Sequence, residues 1–303
     1  MKNSLFHIRH MQADVLVIGG GLAGCSAAIR ARELGASALL VEKSHVRRSG
    51  NACSGVDHTW CYFPEAHDPQ GFTPRQLLED HLARLGPMQD HDMIMTIAEN
   101  IGDRIKELET WGFPFKTNGK YNFVKKIHRV PSFMHWAGRD QKVLFEQKAR
   151  EVGTDILNRV MIIDLLKQNG RVVGALGMGL REPIIYIFSS RAVVMASGGI
   201  SRIFPPATCL DFNRQRLPFG TGDGIAMGIR AGAEMVRLEF FTRWAGLHNL
   251  CKAGRGTWIG VVEDAAGNPL SGNRNASSRT QIDATVESYD DVTKAWRDGR
   301  GPL

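Results

Sequence analysis

Three glycines and one carboxylate near the start of the chain have the types and spacing that hold a dinucleotide. Gly19, Gly21 and Gly24 form a GxGxxG pattern, and Glu42 follows them. In such a pattern the first glycine permits a tight turn, the second lets a pyrophosphate approach the backbone, and the third lets a helix pack closely on a strand. A carboxylate at the position of Glu42 can accept both hydroxyls of a ribose. The four residues together predict a dinucleotide site.

The elements around these residues have the order that such a site needs. An apolar run predicts a buried strand over residues 13–18, followed by a helix over 22–34 and a second strand over 36–41. The helix directs its free amide groups at the phosphates, and Gly35 ends it. Glycine-rich turns often serve packing alone, but the agreement of strand, helix, second strand and acid favours a ligand.

Glu42 also distinguishes among dinucleotides. A carboxylate there repels a 2′-phosphate, which disfavours NADP and leaves FAD and NAD open. The site lies near the N-terminus and is followed by a long chain, which favours FAD.

Composition excludes several classes of protein. The 303 residues are 43% hydrophobic and 23% charged, a composition that is typical of globular proteins and not of disordered ones. The net charge of +7 suggests an anionic ligand, but the basic residues are dispersed, which argues against nucleic acid. The sequence has neither a signal-peptide core nor an apolar run of spanning length, so we expect a cytoplasmic protein that does not span a membrane. Five cysteines without a CxxC pair predict no metal site.

The remaining patterns predict further elements. They comprise a long loop over 46–71, helices over 75–85, 93–111 and 140–152, an irregular aromatic segment over 114–139, an antiparallel meander over 160–166, 171–178 and 183–188, and another strand over 191–195. Asn169 and Gly170 form the first turn of the meander. Asp223 begins a helix, where its carboxylate could cap the helix or hold a ligand hydroxyl.

Four segments in order resemble one family. They are the N-terminal glycine unit, SGNACSG at 49–55, ASGG at 196–199 and TGDGIAMGIRAGAEM at 221–235. The region 13–241 resembles the fumarate reductase and succinate dehydrogenase flavoprotein family, which includes L-aspartate oxidase and the adenylylsulfate reductase flavoprotein subunit. The resemblance implies an α/β fold: a Rossmann-like FAD-binding domain with a parallel sheet and a β-meander over 1–241. The beginning of a capping domain would follow over 242–303.

The resemblance also implies which residues bind FAD. Gly19, Gly20, Gly21, Leu22, Ala23 and Gly24 would hold the pyrophosphate, and Glu42 the adenosine ribose, followed by Lys43 and Ser44. Ser49, Gly50, Asn51, Ser54 and Gly55 would run along the phosphates and the isoalloxazine ring, and Met161 and Ile162 would meet the adenine through backbone groups. Asp223 would reach the ribityl or diphosphate side.

Two positions depart from the family pattern, and they affect the expected flavin link and substrate binding. Gly50 stands where some members carry a histidine bonded covalently to FAD, so we expect noncovalent FAD. Trp244 stands where others carry a dicarboxylate-binding histidine, and an indole cannot neutralise a carboxylate. No catalytic residue is therefore assigned, and the loop at 49–55 is most similar to the adenylylsulfate-reductase-like branch.

The function implied is that of an FAD-dependent oxidoreductase subunit. It would transfer hydride or electrons between flavin and a small anionic substrate, with an iron–sulfur or haem protein as electron partner. The chain ends at Leu303, before the segment with which the family closes around the flavin. The alternative is a noncatalytic FAD-binding fragment, truncated or split, that needs a second polypeptide.

Overall fold

The structure is a computed structural model that describes residues 6–53, 56, 58–124, 128–136, 140–200, 220–236, 238, 264–268, 294–295 and 297–300. The helices are α1 (Leu22–Glu33), α2 (Pro64–His67), α3 (Pro74–Leu85), α4 (His91–Thr110), α5 (Gln141–Glu151) and α6 (Asp223–Ala231). The strands are β1 (His7–Ile18), β2 (Ala38–Glu42), β3 (His58–Trp60), β4 (Lys116–Thr117), β5 (Lys120–Val124), β6 (Phe133–His135), β7 (Asp155–Asn158), β8 (Val160–Gln168), β9 (Arg171–Gly179) and β10 (Ile184–Met195). Short 3₁₀ turns cover Val46–Arg48 and Asp68–Gln70.

The chain divides into two compact units. The first is drawn from residues 1–55 and 140–256, and the second from 56–139 and 257–303. The domain boundary expected between 241 and 242 falls outside the described residues and stays a prediction.

The first unit contains a six-stranded sheet in the order β7-β2-β1-β10-β9-β8. Strands β7, β2, β1 and β10 are parallel, whereas β9 and β8 add to β10 as an antiparallel meander. Both Asn169 and Gly170 have positive φ, as a tight hairpin turn requires. The expected α/β fold with a parallel sheet and a β-meander is confirmed.

The sequence predicted two strands in this unit where the structure has one. The runs expected at 183–188 and 191–195 form the single strand β10, because Ser189 and Ser190 continue the parallel pairing opposite Gln12 and Ala13 of β1. The apolar residues that the sequence placed in the core, such as Leu16 and Leu39, are buried between the sheet and its helices.

The second unit contains a small antiparallel sheet in the order β3-β6-β5-β4, together with α3 and α4. Both helices agree with prediction within two residues, and side-chain caps at Thr73 and Asp90 fix where they begin. The segments 46–71 and 114–139 were expected to be irregular, but they contain β3, α2 and β4 to β6. Such short strands place only one to three residues on each face, so the alternation of apolar and polar residues that marks a strand is hard to recognise.

Across the described residues, every helix is too short or too polar to cross a bilayer.

Candidate functional site

The glycine turn connects β1 to α1 in the first unit. Gly19 has φ +103°, and a Cβ there would lie 2.5 Å from the carbonyl oxygen of Ala196 at the end of β10. A Cβ on Gly24 would lie 1.8 Å from the carbonyl oxygen of Gly19. These two positions therefore need glycine because turn, helix and sheet pack directly on one another.

Gly21 differs from its two neighbours in the motif. Its φ is −66°, and the nearest atom to an added Cβ would be the Cα of Gly50 at 3.9 Å. Among the residues that the structure describes, none packs closely enough to require glycine at this position, and they leave the space beside the backbone open. Such a gap, next to the N-terminus of α1, suits the close approach of a pyrophosphate.

Glu42 lies at the end of β2 and is 6% exposed. One carboxylate oxygen accepts a hydrogen bond from the amide of Gly20 at 2.6 Å, and the other accepts one from the amide of Ser44 at 2.7 Å. A carboxylate oxygen has a second lone pair, so each can also accept a ribose hydroxyl. The sequence had suggested only the ligand role, but the same side chain also fixes the turn to the strand.

Lys43 joins the end of β2 to the start of α6. Its Nζ lies 3.6 Å from a carboxylate oxygen of Asp223 and 3.3 Å from Oγ1 of Thr221. The Thr221 hydroxyl also donates to the Asp223 carboxylate. The N-cap of α6 is Gly222, with no side-chain cap, so Asp223 does not act as the N-cap residue considered from the sequence. The structure places Asp223 beside the residue that follows Glu42.

The loop after β2 lies against the glycine turn. Ser49 is buried and donates to the carbonyl oxygen of Gly20 at 2.8 Å. Gly50 has φ +74°, and a Cβ there would lie 3.0 Å from the Cα of Gly21. Asn51 is exposed in the turn that follows. The structure thus brings this part of the predicted set beside the glycine turn, whereas Ser54 and Gly55 lie outside the described residues.

The start of β8 also reaches this end of the sheet. The amide of Arg159 donates to the carbonyl oxygen of Ser44 at 3.0 Å, and the amide of Val46 donates to the side chain of Asn158 at 2.8 Å. Met161 and Ile162 follow within three residues of Arg159, on an edge strand whose other side pairs with β9. Backbone groups on an edge strand can serve a ligand.

Lys142 was missed by the sequence analysis. It lies in the first turn of α5, is 0% exposed, and donates to the carbonyl oxygen of Gly20 at 2.6 Å and to Sγ of Cys25 at 3.2 Å. Burial raises the pKa of the Cys25 thiol, and the nearby lysine opposes that shift. A signal was present, because Lys142 shares a helical stripe with the buried Phe145 and Ala149.

Two ion pairs hold the loop after β2 to α5. Arg47 lies 3.2 Å from the buried carboxylate of Glu146, and Arg48 lies 2.7 Å from Asp140. Each of these half-exposed arginines therefore pairs with an acid.

The second unit has a buried group of histidines. His67 and His128 are almost fully buried, and Nδ1 of His81 lies 3.4 Å from Nε2 of His128. His128 also bonds the hydroxyl of Ser132. Burial, together with the neighbouring His81, lowers the pKa of His128 to about 4. The rings of His67 and His128 form part of the buried core of this unit.

Two remaining features of the sequence concern metal ions and substrate binding. Within the described ranges, no cluster of three or more His, Cys, Asp or Glu side chains could hold a metal ion. Trp244, expected in place of a substrate-binding histidine, lies outside those ranges.

Known proteins resemble this chain over most of its length. The family model described as "FAD binding domain" matches residues 14–300. A fumarate reductase (CoM/CoB) protein of Methanothermobacter marburgensis is 28% identical over 236 residues, which cover 75% of this chain and 41% of that protein. Adenylylsulfate reductase of Archaeoglobus fulgidus is 30% identical, with a TM-score of 0.64 over 74% of this chain and 36% of that one.

A quinol fumarate reductase structure from E. coli shares the fold over 97% of this chain and 52% of its own, with a TM-score of 0.75 at 19% identity. The chain spans about two fifths of the length of the Methanothermobacter marburgensis protein. The resemblance drawn from the sequence motifs is confirmed.

Proposed function

The chain belongs to the FAD binding domain family, and on that premise we propose that its first unit holds FAD for an oxidoreductase acting on a small anionic substrate. The observation that carries the proposal is the contrast within the glycine turn. Gly19 and Gly24 are required by packing, whereas the described residues leave open space beside Gly21. Packing among these residues does not account for a glycine at position 21, but the approach of a pyrophosphate does.

The residues present fit the ADP part of FAD. The turn from Gly19 to Gly24 would hold the pyrophosphate with its backbone amides and the N-terminus of α1. Glu42 is fixed by two backbone amides, so its remaining lone pairs are already oriented for the ribose hydroxyls. Met161 and Ile162 would offer backbone groups to the adenine.

We propose a different place for Asp223 from the one implied by the family resemblance. Its carboxylate pairs with Lys43, directly after the ribose-binding position. This contact supports a role at the adenosine end of the site rather than at the ribityl side.

When bound, FAD would supply hydride and electron transfer at its isoalloxazine ring. The protein's contribution is binding and orientation. The matched relatives include proteins named as fumarate reductase and adenylylsulfate reductase, which supports a small anionic substrate and an electron partner. The net charge of +7 is consistent with an anionic substrate.

We also propose that FAD is bound without a covalent link. Gly50 stands at the position of the family's flavin-linked histidine, and its φ of +74° and closeness to Gly21 leave no room for a side chain without backbone movement.

The proposal is tested with the purified chain incubated with FAD and freed of unbound flavin by gel filtration. We expect flavin absorbance to elute with the protein. After anaerobic reduction by dithionite and removal of the excess reductant, an unsaturated dicarboxylate such as fumarate, or adenylylsulfate, should reoxidise the flavin because each can accept two electrons, whereas the neutral dimethyl ester of the dicarboxylate should not. A protein that stays colourless contradicts FAD binding, and equal reoxidation by the acids and their esters contradicts the anionic substrate.

A further inference from the structure

A buried cation lies behind the glycine turn. The side chain of Lys142 is fully buried in the first unit, and its hydrogen bonds go to a carbonyl oxygen and a thiol. Moving an ammonium group out of water is unfavourable by several kcal/mol unless other charges or dipoles compensate. The position of Lys142 therefore calls for a compensating negative charge.

Among the described residues, two carboxylates near this region, those of Glu42 and Glu146, are engaged elsewhere. Glu42 accepts hydrogen bonds from the amides of Gly20 and Ser44. Glu146, one turn along α5 from Lys142, pairs with Arg47 at 3.2 Å and with Arg150 at 2.9 Å. The short contacts of these two acids are thus with groups other than the lysine.

The lysine acts on one peptide unit of the turn. The carbonyl oxygen of Gly20 accepts from Nζ of Lys142 at 2.6 Å and from Oγ of Ser49 at 2.8 Å. The N–H of the same peptide unit belongs to Gly21, and in a trans peptide it points opposite to the carbonyl. A cation at the oxygen polarises the unit and makes its N–H a stronger donor.

We propose that Lys142 is a positioning residue for the pyrophosphate of the cofactor, acting through the Gly20–Gly21 peptide. Its ammonium fixes the orientation of that peptide and strengthens the amide of Gly21, while the anionic pyrophosphate supplies the compensating charge. The inference rests on the proposed FAD function and extends it to a residue that makes no direct contact with the ligand. The effect is specific for phosphate, because a neutral nucleoside carries no charge for the peptide dipole to meet.

The test compares ADP with adenosine in the full chain carrying Lys142→Met or Lys142→Gln. ADP binding is measured by calorimetry, and adenosine binding by its displacement of FAD. Loss of a charge-assisted hydrogen bond predicts that both variants bind ADP and FAD about tenfold more weakly. Adenosine affinity should change by less than about twofold, since the ribose and adenine contacts remain.

The matched control is Lys148→Met on the same helix. Lys148 pairs with Glu151 at 3.4 Å, so this variant removes one positive charge from α5 without touching the turn. It should bind ADP as the wild type does. Thermal unfolding of every variant without ligand checks the fold.

Each outcome decides the matter. Equal losses for ADP and adenosine, unchanged ADP binding, or failure of both Lys142 variants to fold would make Lys142 a structural residue and overturn the inference. If the wild-type chain itself binds neither FAD nor ADP, the proposed function fails instead. If the wild type binds and the variants bind equally well, only the role of Lys142 fails.

Discussion

The carboxylate of Glu42 accepts a hydrogen bond from the amide of Gly20 at 2.6 Å and so joins the end of β2 to the glycine turn. The carbonyl group of the same glycine accepts from the buried Lys142. Gly20 is thus held from both sides, by an acid on a strand and by a base on a helix. The turn that would hold the pyrophosphate is positioned by two separate parts of the first unit, β2 and α5.

Replacing Glu42 by Gln should weaken both ligand binding and folding. Each carboxylate oxygen faces a backbone N–H, so either orientation of the amide sets an NH₂ donor against another donor. We expect the free energy of FAD binding to become less favourable by about 1.5–3 kcal/mol. Fluorescence titration with FAD measures the change. Glu33→Gln, on the last turn of α1, should bind normally, and wild-type affinity in Glu42→Gln would show that the ribose is held elsewhere.

Alanine at Gly24 should weaken folding, whereas alanine at Gly21 should weaken FAD binding. At Gly24 the new Cβ would lie 1.8 Å from the carbonyl oxygen of Gly19, so the free energy of unfolding should fall by about 3 kcal/mol or more. At Gly21 no atom of the described residues would lie closer than 3.9 Å to the Cβ, so the free energy of unfolding should change by less than about 1 kcal/mol while FAD affinity drops at least about tenfold. Urea unfolding and FAD titration separate the two effects. If Gly21→Ala binds FAD normally, the ligand does not approach the turn there.

Acid precipitation should release the flavin. Gly50 offers no side chain for a covalent bond to FAD, so trichloroacetic acid should leave the flavin in the supernatant and the pellet colourless. Absorbance spectra of both fractions give the result. Flavin in the washed pellet would contradict noncovalent binding.

Acid should destabilise the chain through His128. Its pKa in the folded protein is about 4, below the ordinary value of 6.5, so the unfolded chain binds more protons between those values. The contribution of His128 to the free energy of unfolding is fully present above about pH 6.5. It falls by about 3 kcal/mol as the pH drops towards 4. Burial also lowers the pKa of His67, which adds in the same direction.

Urea unfolding at a series of pH values tests this expectation. His128→Gln, which cannot take up a proton, should lower the overall stability but flatten its dependence on pH between about 4 and 6.5. The exposed His91→Gln should leave the wild-type slope unchanged. An equally steep slope in His128→Gln would show that other groups cause the acid sensitivity.

The strand, turn, helix and second strand around Gly19 could be read from the sequence because apolar runs and glycines mark each boundary. The sequence predicted that β1 begins at residue 13, whereas the strand begins at His7. Residues 7–10 are exposed and are held by pairing with the distant β10, a contact that no local pattern encodes. The short β7, paired with β2, was missed for the same reason.

The site was harder to read where a side chain has two roles. Glu42 could be assigned from its place after a strand, but its bonds to the protein backbone depend on the folded turn. Lys142 looks like an ordinary helix lysine unless its stripe with Phe145 and Ala149 is noticed, because lysine is almost never fully buried without a partner. Its partner, the carbonyl of Gly20, is brought to it only by tertiary packing.

The glycine turn and Glu42 are proposed to hold the ADP part of FAD. Equilibrium binding of FAD to the purified chain, with ADP and FMN as competitors, measures this most directly. We expect saturable FAD binding that ADP displaces and FMN does not. Absence of FAD binding, or displacement by FMN and not by ADP, would contradict the proposed site.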